Sequence, residues 1–547
     1  MRENLLGALA DDSETIRNCV SSLIPPIISK TGLSSWPDIF PSLINFAESS
    51  NTYLGEGALS TLQKIFEDCE VRLRDPTVAP SINAIIPRLI DFIGNQNINI
   101  KVSALKCVNH LLASRYPMNQ HFEQLLRCLF ALNVDTNIEV KKTVCFAFCA
   151  LAEEYFDDIC SGIYDIIDLM LERSVDPSEE VAREACEFWP KMYDNNVRTY
   201  ILGEYLQRLI PILVNGMQYH DTDLQCLEHE LEDNAHIEDR DEDIRPRFHR
   251  ARGKLDESDN EEMPEDYTQC WTLRKCCASA LDEGSRVFGG ARFLPILLPI
   301  IEPFVSSPDW KTRESVILVL GAVSEGCMVE MLQYLPSVFP FLLQSLNDEK
   351  ALIRSISCWT VSRYAKWLTS PAGKGFFEQF LCLLLERILD RNKRVQEAAC
   401  SAFAAVVEEG ESCMVPYLGR IVSCFAEALE QYKSKNLNLL CDAICRLAES
   451  VHTDLNQPQF VEALMTPLCK KWENLADNDT QMFSLLECLS ACSFAFGESF
   501  LFFHKYIFER CIRITKDNLL AQVSRQPRLA MFFEESFMKS ILPSEIG

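Results

Sequence analysis

Ile356, Trp359 and Arg363 stand at i, i+3 and i+7, so in a helix they share one face. A Trp beside an Arg on an accessible face can hold an apolar or aromatic side chain together with a carboxylate or a backbone carbonyl. Nearby acids are also spaced as a helix would space them. Glu397 and Glu408 are eleven residues apart, three turns; Asp442 and Glu449 are seven apart, two turns. On adjacent helices they would align as an acidic stripe facing a basic ligand. Each pattern has a plainer reading, Trp359 as a core side chain and the acids as a solvated face, and periodicity does not choose between them. This is recognition chemistry rather than bond-making chemistry. Gly373-Lys374-Gly375 is followed by Phe376, so no GxxxxGK[ST] phosphate loop forms, and there is no GxSxG elbow, HExxH helix or GxGxxG turn. Neither an enzymatic reaction nor a cofactor has support in the sequence. Four histidines, His220, His229, His236 and His249, fall close together but lack metal-ligand spacing, so no metal site is expected.

The elements that must position these residues repeat. A short acidic or polar turn runs into an apolar-periodic helix at 11–23, 95–111, 135–151, 176–189, 309–323, 348–364 and 390–406. Aligning Ile100, Val140, Val181, Thr312, Ile353 and Val395 gives steps of 40, 41, 131, 41 and 42. The long step hides one repeat, 269–281, in which Thr272 stands 40 before Thr312, and leaves about 50 inserted residues. First helices of such pairs are read at 36–46, 82–93, 205–214, 292–305, 334–346 and 414–429, and further second helices are expected at 436–451 and 480–496. All-helical pairs at this period predict an all-α HEAT-repeat solenoid, a right-handed superhelix of about twelve antiparallel helix pairs. The expected divisions are 1–218, N-terminal repeats; 219–267, an acidic insert within one repeat; 268–516, central repeats carrying the recognition surface; and 517–547, a divergent, weakly ordered tail.

Composition narrows the partners. The net charge of −27 disfavours nucleic acid or an anionic membrane and favours a basic protein. Twenty-four cysteines lie inside apolar helical patterns, as in Cys145 and Cys149, Cys441 and Cys445, or Cys488 and Cys492, with no CxxC pair. Buried reduced thiols in a cytosolic or nuclear protein account for them better than a disulfide framework. The first twelve residues carry acids where a signal peptide needs an apolar core. The longest apolar stretch, 293–305, contains Pro295, Pro299, Glu302 and Pro303 and is shorter than a membrane span. A soluble, unsecreted chain is expected.

From 219 to 267 there are eighteen Asp and Glu against six Arg and Lys, a net of −12 out of −27. Sparse, aperiodic apolar content predicts a mobile loop leaving one edge of the solenoid. It would serve either as a solvated spacer or as an acidic mimic competing with a basic ligand for the groove.

Several blocks resemble the transportin (importin-β2) branch of the karyopherin-β nuclear import receptors. They are Leu273-Arg274-Lys275-Cys276, residues 317–328 (ILVLGAVSEGCM), 353–364 (IRSISCWTVSRY), 392–403 (NKRVQEAACSAF), Asp442-Ala443-Ile444 and 483–490 (FSLLECLS). Pro246-Arg247-Phe248-His249 in the insert is similar to plant members. The similarity is dense over 271–489, looser over 1–214 and absent after 524. The resemblance implies a cargo receptor for extended basic nuclear localisation signals ending in Pro-Tyr, released by Ran-GTP. Other implied partners are nucleoporins, with no nucleic acid or membrane, and the implied location is cytoplasm and nucleus.

Carried over by motif, a Pro-Tyr pocket would comprise Ala278, Ser279, Asp282, Leu318, Ile356, Trp359 and Arg363, and the basic part of the signal would meet Glu397, Glu408, Asp442 and Glu449. The insert's acids Asp239, Asp241, Glu242, Asp243, Glu261 and Glu262 would drive release. Two departures stand out, Ala405 and Arg446 where the family pattern has threonines. Arg446 lies one turn from both Asp442 and Glu449, so it would neutralise part of the stripe and weaken basic cargo. Relative to the family the chain is expected to lack its first repeats and its last ones, which would weaken Ran binding and impair release. The alternative is a non-transporting HEAT scaffold or a defective truncated paralogue.

Overall fold

The computed structural model describes residues 2–69, 73, 78–194, 196–227, 231, 233–237, 271–410, 413–477, 479 and 481–525. Among the described residues there are helices and no strands. Two compact units form, one from Met1–Tyr219 with Glu265–Met331 and one from His220–Pro264 with Leu332–Gly547. The described start of the acidic insert therefore belongs with the second unit.

In the first unit, α1 (Glu14–Thr31) follows a short helix, Arg2–Ala8, and helix pairs come after it. They are α2 (Ile39–Ala47) with α3 (Thr52–Asp68), α4 (Ala79–Ile93) with α5 (Ile98–Ala113), and α6 (Phe122–Ala131) with α7 (Ile138–Glu154). Next are α8 (Ile163–Arg173) with α9 (Glu179–Cys186), α10 (Leu206–Gly216) with α11 (Leu273–Phe288), and α12 (Gly290–Val305) with α13 (Trp310–Ala322). Second helices stack on second helices from α1 through α3, α5, α7 and α9 to α11, while α2, α4 and α6 stack beside them. The second unit repeats the arrangement: α14 (Leu335–Ser345) with α15 (Ala351–Ser362), α16 (Lys374–Ile388) with α17 (Lys393–Glu409), α18 (Leu418–Gln431) with α19 (Ser434–Val451), α20 (Pro458–Asn474) with α21 (Gln481–Phe496), then α22 (Leu501–Arg525). There α15, α17, α19 and α21 stack in order. These are the helix pairs of a HEAT solenoid, as the forty-one-residue period predicts.

Local chemistry explains why each second helix starts where it does. Asn51, Asn97, Asn137, Asp309 and Asn392 cap α3, α5, α7, α13 and α17, their side chains accepting first-turn backbone N–H groups. Two residues earlier, Asp135, Asp176 and Asp390 accept the N–H of Asn137, Ser178 and Asn392 at 2.9–3.0 Å, which fixes the turn. The same carboxylates reach back to a cation on the preceding second helix: Lys101 to Asp135 at 2.6 Å, Lys141 to Asp176 at 2.8 Å, Arg354 to Asp390 at 2.8 Å. One residue thus sets both the turn and the register of one repeat on the next. Between the layers, Leu105, Val108 and Leu111 of α5 and Phe148 of α7 are fully buried. Each such side chain contributes about 1.5–3 kcal/mol of transfer free energy.

Some expectations change in detail. The helix expected over 176–189 is divided into α9 and a short turn, Phe188–Lys191, because Pro190 cannot donate to the ladder. By contrast, Pro295, Pro299 and Pro303 leave α12 continuous. They lie one turn apart on its exposed side, where freed carbonyls can face water, opposite buried Phe293, Leu294, Leu297 and Ile301. The stretch Gln481–Asp517 is long and apolar enough to cross a membrane by length and composition, with 39% of its most apolar window buried. Gly497, at φ 50°, turns the chain within it and separates α21 from α22. Helix α22 runs on to Arg525, past the end of the apolar periodicity, and 526–547 lie outside the described residues. Of the cysteine pairs singled out above, Cys145, Cys149, Cys441, Cys488 and Cys492 are buried free thiols and Cys445 is half-buried.

Candidate functional site

Helix α15 is held by its inward face. Leu352, Ile353, Cys358 and Val361 are buried, Ser357 Oγ donates to the Ile353 carbonyl at 2.7 Å, and Arg354 grips Asp390 through two nitrogens at 2.8 and 2.9 Å. With those positions turned inward, Ile356 and Trp359 are left on the other side. Trp359 is 38% exposed, whereas Trp189 and Trp472 are fully buried and Trp367 nearly so, which discards the reading of Trp359 as a core side chain. The Arg363 guanidinium carbon lies 6.0 Å from the Trp359 ring centroid. Ile356 and Arg363 are half-buried beside it. An aromatic plate with a cation over its ring is therefore presented to solvent.

The acidic stripe is also brought together. Glu397 is half-buried on α17, Glu408 exposed in its last turn, and Asp442 and Glu449 exposed on α19. Between the two helices sits Arg446, 3.4 Å from Glu408, 3.5 Å from Asp442 and 3.8 Å from Glu449. All partners are roughly half exposed, so each pair contributes at most about 1 kcal/mol to stability. Their consequence is electrostatic, since one guanidinium offsets the field of three of the four carboxylates.

The remaining predicted pocket residues lie in the first unit. On α11, Ala278, Ser279 and Asp282 are half-buried; Ser279 Oγ meets Glu283 at 3.5 Å, and Asp282 is paired with Arg286, which also reaches Glu325 at 3.6 Å. Leu318 on α13 is buried. Arg274 fixes the helix carrying the first three. Its guanidinium donates to Glu314, whose side chain is inaccessible, at 2.6 Å, donates also to the Met217 carbonyl, and stacks 4.0 Å from the Tyr219 ring, where the insert leaves. Gly216 lets α10 come close, for a Cβ there would lie 2.5 Å from Cys277 Sγ. The seven predicted residues thus divide between the two units, three of them gathered around Trp359 and four on α11 and α13.

Asp239, Asp241, Glu242, Asp243, Glu261 and Glu262 lie outside the described residues. The insert's described start carries a contact that sequence reasoning missed. Asn234 and Ala235 N–H groups donate to the Arg391 carbonyl at 3.0 and 2.9 Å, and Lys393 N–H donates to Asn234 Oδ1 at 2.8 Å. Lys393 Nζ donates to the Ile237 carbonyl at 2.5 Å, and Asp233 pairs with Arg391 at 3.5 Å. The insert is therefore pinned to the start of α17, the helix bearing Glu397 and Glu408. The available signal was the neutral Asn234-Ala235-His236-Ile237 between two acidic runs.

Comparison with known proteins follows the same lines. Residues 310–364 match the HEAT-like repeat family. Transportin-1 of Mus musculus is 40% identical over 531 residues, 95% of this chain and 59% of that protein. Transportin-1 of Oryza sativa subsp. japonica is 36% identical over 546 residues, 98% of this chain and 61% of its own length. Among solved structures, yeast importin-β (Kap95p) superposes with a TM-score of 0.74 at 15% identity, covering 95% of this chain and 60% of that one. The chain thus spans about three fifths of the length of the curated relatives it matches.

Proposed function

This chain belongs to the transportin/importin-β2 family over the span it shares with those proteins, and from that premise we propose that it is a nuclear import receptor for basic Pro-Tyr localisation signals. The observation that carries the reading is the exposure of Trp359 with the Arg363 guanidinium over its ring, on a helix whose other face is locked in the core. The tyrosine ring packs on Trp359 and the signal's terminal carboxylate or carbonyl accepts from Arg363, with Ile356 completing the apolar wall. The resemblance also assigns contacts with the signal to Ala278, Ser279, Asp282 and Leu318, and Glu397, Glu408, Asp442 and Glu449 draw the basic residues upstream. The acidic insert, pinned at Arg391 and Lys393, stands at the helix it would compete for, which supports its role as the element that Ran-GTP drives against cargo. Nucleoporin contacts and residence in both cytoplasm and nucleus follow from the same reading.

A labelled basic Pro-Tyr peptide titrated by fluorescence polarisation tests this. Trp359→Ala is expected to weaken binding about thirtyfold, as loss of an anchor aromatic costs about 2 kcal/mol. Equal affinity of wild type and variant would sink the assignment. One observation favours a second reading, a non-transporting HEAT scaffold or a defective paralogue: Arg446 already occupies part of the stripe, which would weaken basic cargo. Peptide that binds but is not displaced by Ran-GTP would select it.

A further inference from the structure

Within the first unit, away from every residue assigned above, two adjoining clefts of about 360 and 550 Å³ share Phe146 and Glu184 in their walls. Phe146 projects from α7 with 42% of its surface exposed, and Trp271, just before α11, is 38% exposed. Trp271 is held in place: its indole N–H donates to Glu187 and its carbonyl accepts from Arg183 at 3.3 Å. Glu184, half-buried on α9, lines the second cleft together with both.

The charges around the clefts are mostly matched inside the molecule. Lys142 holds Glu139 and Glu180 at 2.9 and 2.6 Å, Lys191 holds Glu153 at 2.6 Å, and Arg115 holds Glu154. Two charges in the walls are not so matched, Lys106 in the first cleft and Glu184, which lines both; among the described residues neither a hydrogen bond nor an ion pair reaches the Glu184 carboxylate. Burial, the largest influence, pushes its pKa up, and the nearby cations Arg183 and Lys142 offset that only in part. A half-buried acid without a partner, in a cleft wall shared with two exposed aromatic side chains in a chain of net charge −27, is complementary to a cation that is itself flat and weakly hydrated. A guanidinium meets those conditions better than an ammonium, because it forks onto a carboxylate and stacks on rings at once.

We propose that the Phe146–Glu184–Trp271 cleft is a second docking site, which takes an arginine side chain from an extended, basic segment of a partner protein. The guanidinium pairs with Glu184 and lies against the Phe146 and Trp271 rings. The site does not depend on Trp359 and requires no Pro-Tyr pair, so it stands whether or not the localisation-signal reading does.

The test uses the full chain and a fluorescein-labelled nonapeptide of alternating Arg and Ser, with a Lys/Ser peptide as comparison. Polarisation titrations are expected to show binding that falls about tenfold or more in Glu184→Gln and in Phe146→Ala, is unchanged in Trp359→Ala, and is weaker for the Lys peptide. Phe146 is exposed, so its truncation keeps the test decisive even where Glu184→Gln perturbs folding. Affinity unchanged in both cleft variants, or lost equally in Trp359→Ala, overturns the proposal. Concentration-dependent self-association of the chain that Phe146→Ala abolishes, without peptide binding, assigns the cleft to a second copy and overturns it too.

Discussion

Arg446 on α19 reaches across to the next helix and stands 3.4 Å from Glu408, so the cation meets a stripe acid outside its own helix as well as Asp442 and Glu449 within it. Replacing it changes recognition more than stability. With three carboxylates freed and one positive charge removed, Arg446→Thr should tighten binding of a basic peptide by about fivefold and steepen its salt dependence. Its melting temperature should stay near that of the wild type, since exposed pairs contribute little. Polarisation titrations at two ionic strengths check this; unchanged affinity at low salt would remove the stripe from cargo binding.

The anchor at Asn234 makes a separate prediction about the insert. In Asn234→Ala the Lys393 N–H loses its acceptor, and a net hydrogen bond is worth about 1 kcal/mol. Amide exchange at 234 and 235 should accelerate about fivefold while the interior of α17 keeps its protection. Hydrogen exchange read by mass spectrometry reports both segments. Wild-type amides at 234 and 235 that exchange at free-chain rates would show that the anchor does not persist in solution.

Arg274 is the buried cation whose loss should be most damaging near the pocket. Truncation to Ala leaves the Glu314 carboxylate, inaccessible to solvent, without its guanidinium, and removes the stack on Tyr219. Breaking a buried pair of this kind costs about 3–5 kcal/mol. In a stack of repeats the loss is felt locally first, so α11 and α13 should lose exchange protection ahead of α5 and α7. Uniform loss along the first unit would contradict that local account.

How much of this could be read from the residues differs between features. The repeat was plain because Asp135, Asp176 and Asp390 recur with the second helices, and each acts twice, on its own turn and on the preceding cation. The grouping of Ile356, Trp359 and Arg363 followed from helical spacing alone. Whether that face looked inward did not, because the other face of α15 is equally rich in apolar and small residues; packing on α17 decides it. Arg446 with Asp442 and Glu449 was legible as a one-turn neighbourhood, but its reach to Glu408 depends on how α17 and α19 are offset. The contact between Asn234 and Lys393 joins positions 159 apart, with no periodicity to announce it.

The same aspartate ladder predicts how the first unit responds to acid. Burial by itself would raise the pKa of Asp176, but the hydrogen bonds from Lys141 and from the Ser178 N–H outweigh it and hold the carboxyl below the usual value; Asp135 behaves alike with Lys101 and Asn137. A carboxyl depressed in the folded state binds its proton more readily when unfolded, so its contribution is fully present above the unfolded pKa of about 4 and is lost as pH falls through the folded value. The wild type should therefore melt at higher temperature than Asp176→Asn at pH 7, and the two should converge as pH drops below about 4. Thermal melts followed by circular dichroism between pH 3 and 7 measure this. Asn would largely preserve the turn hydrogen bond from the Ser178 N–H, so a gap that persists undiminished at pH 3 would mean that Asp176 acts through packing and not through the charge it shares with Lys141.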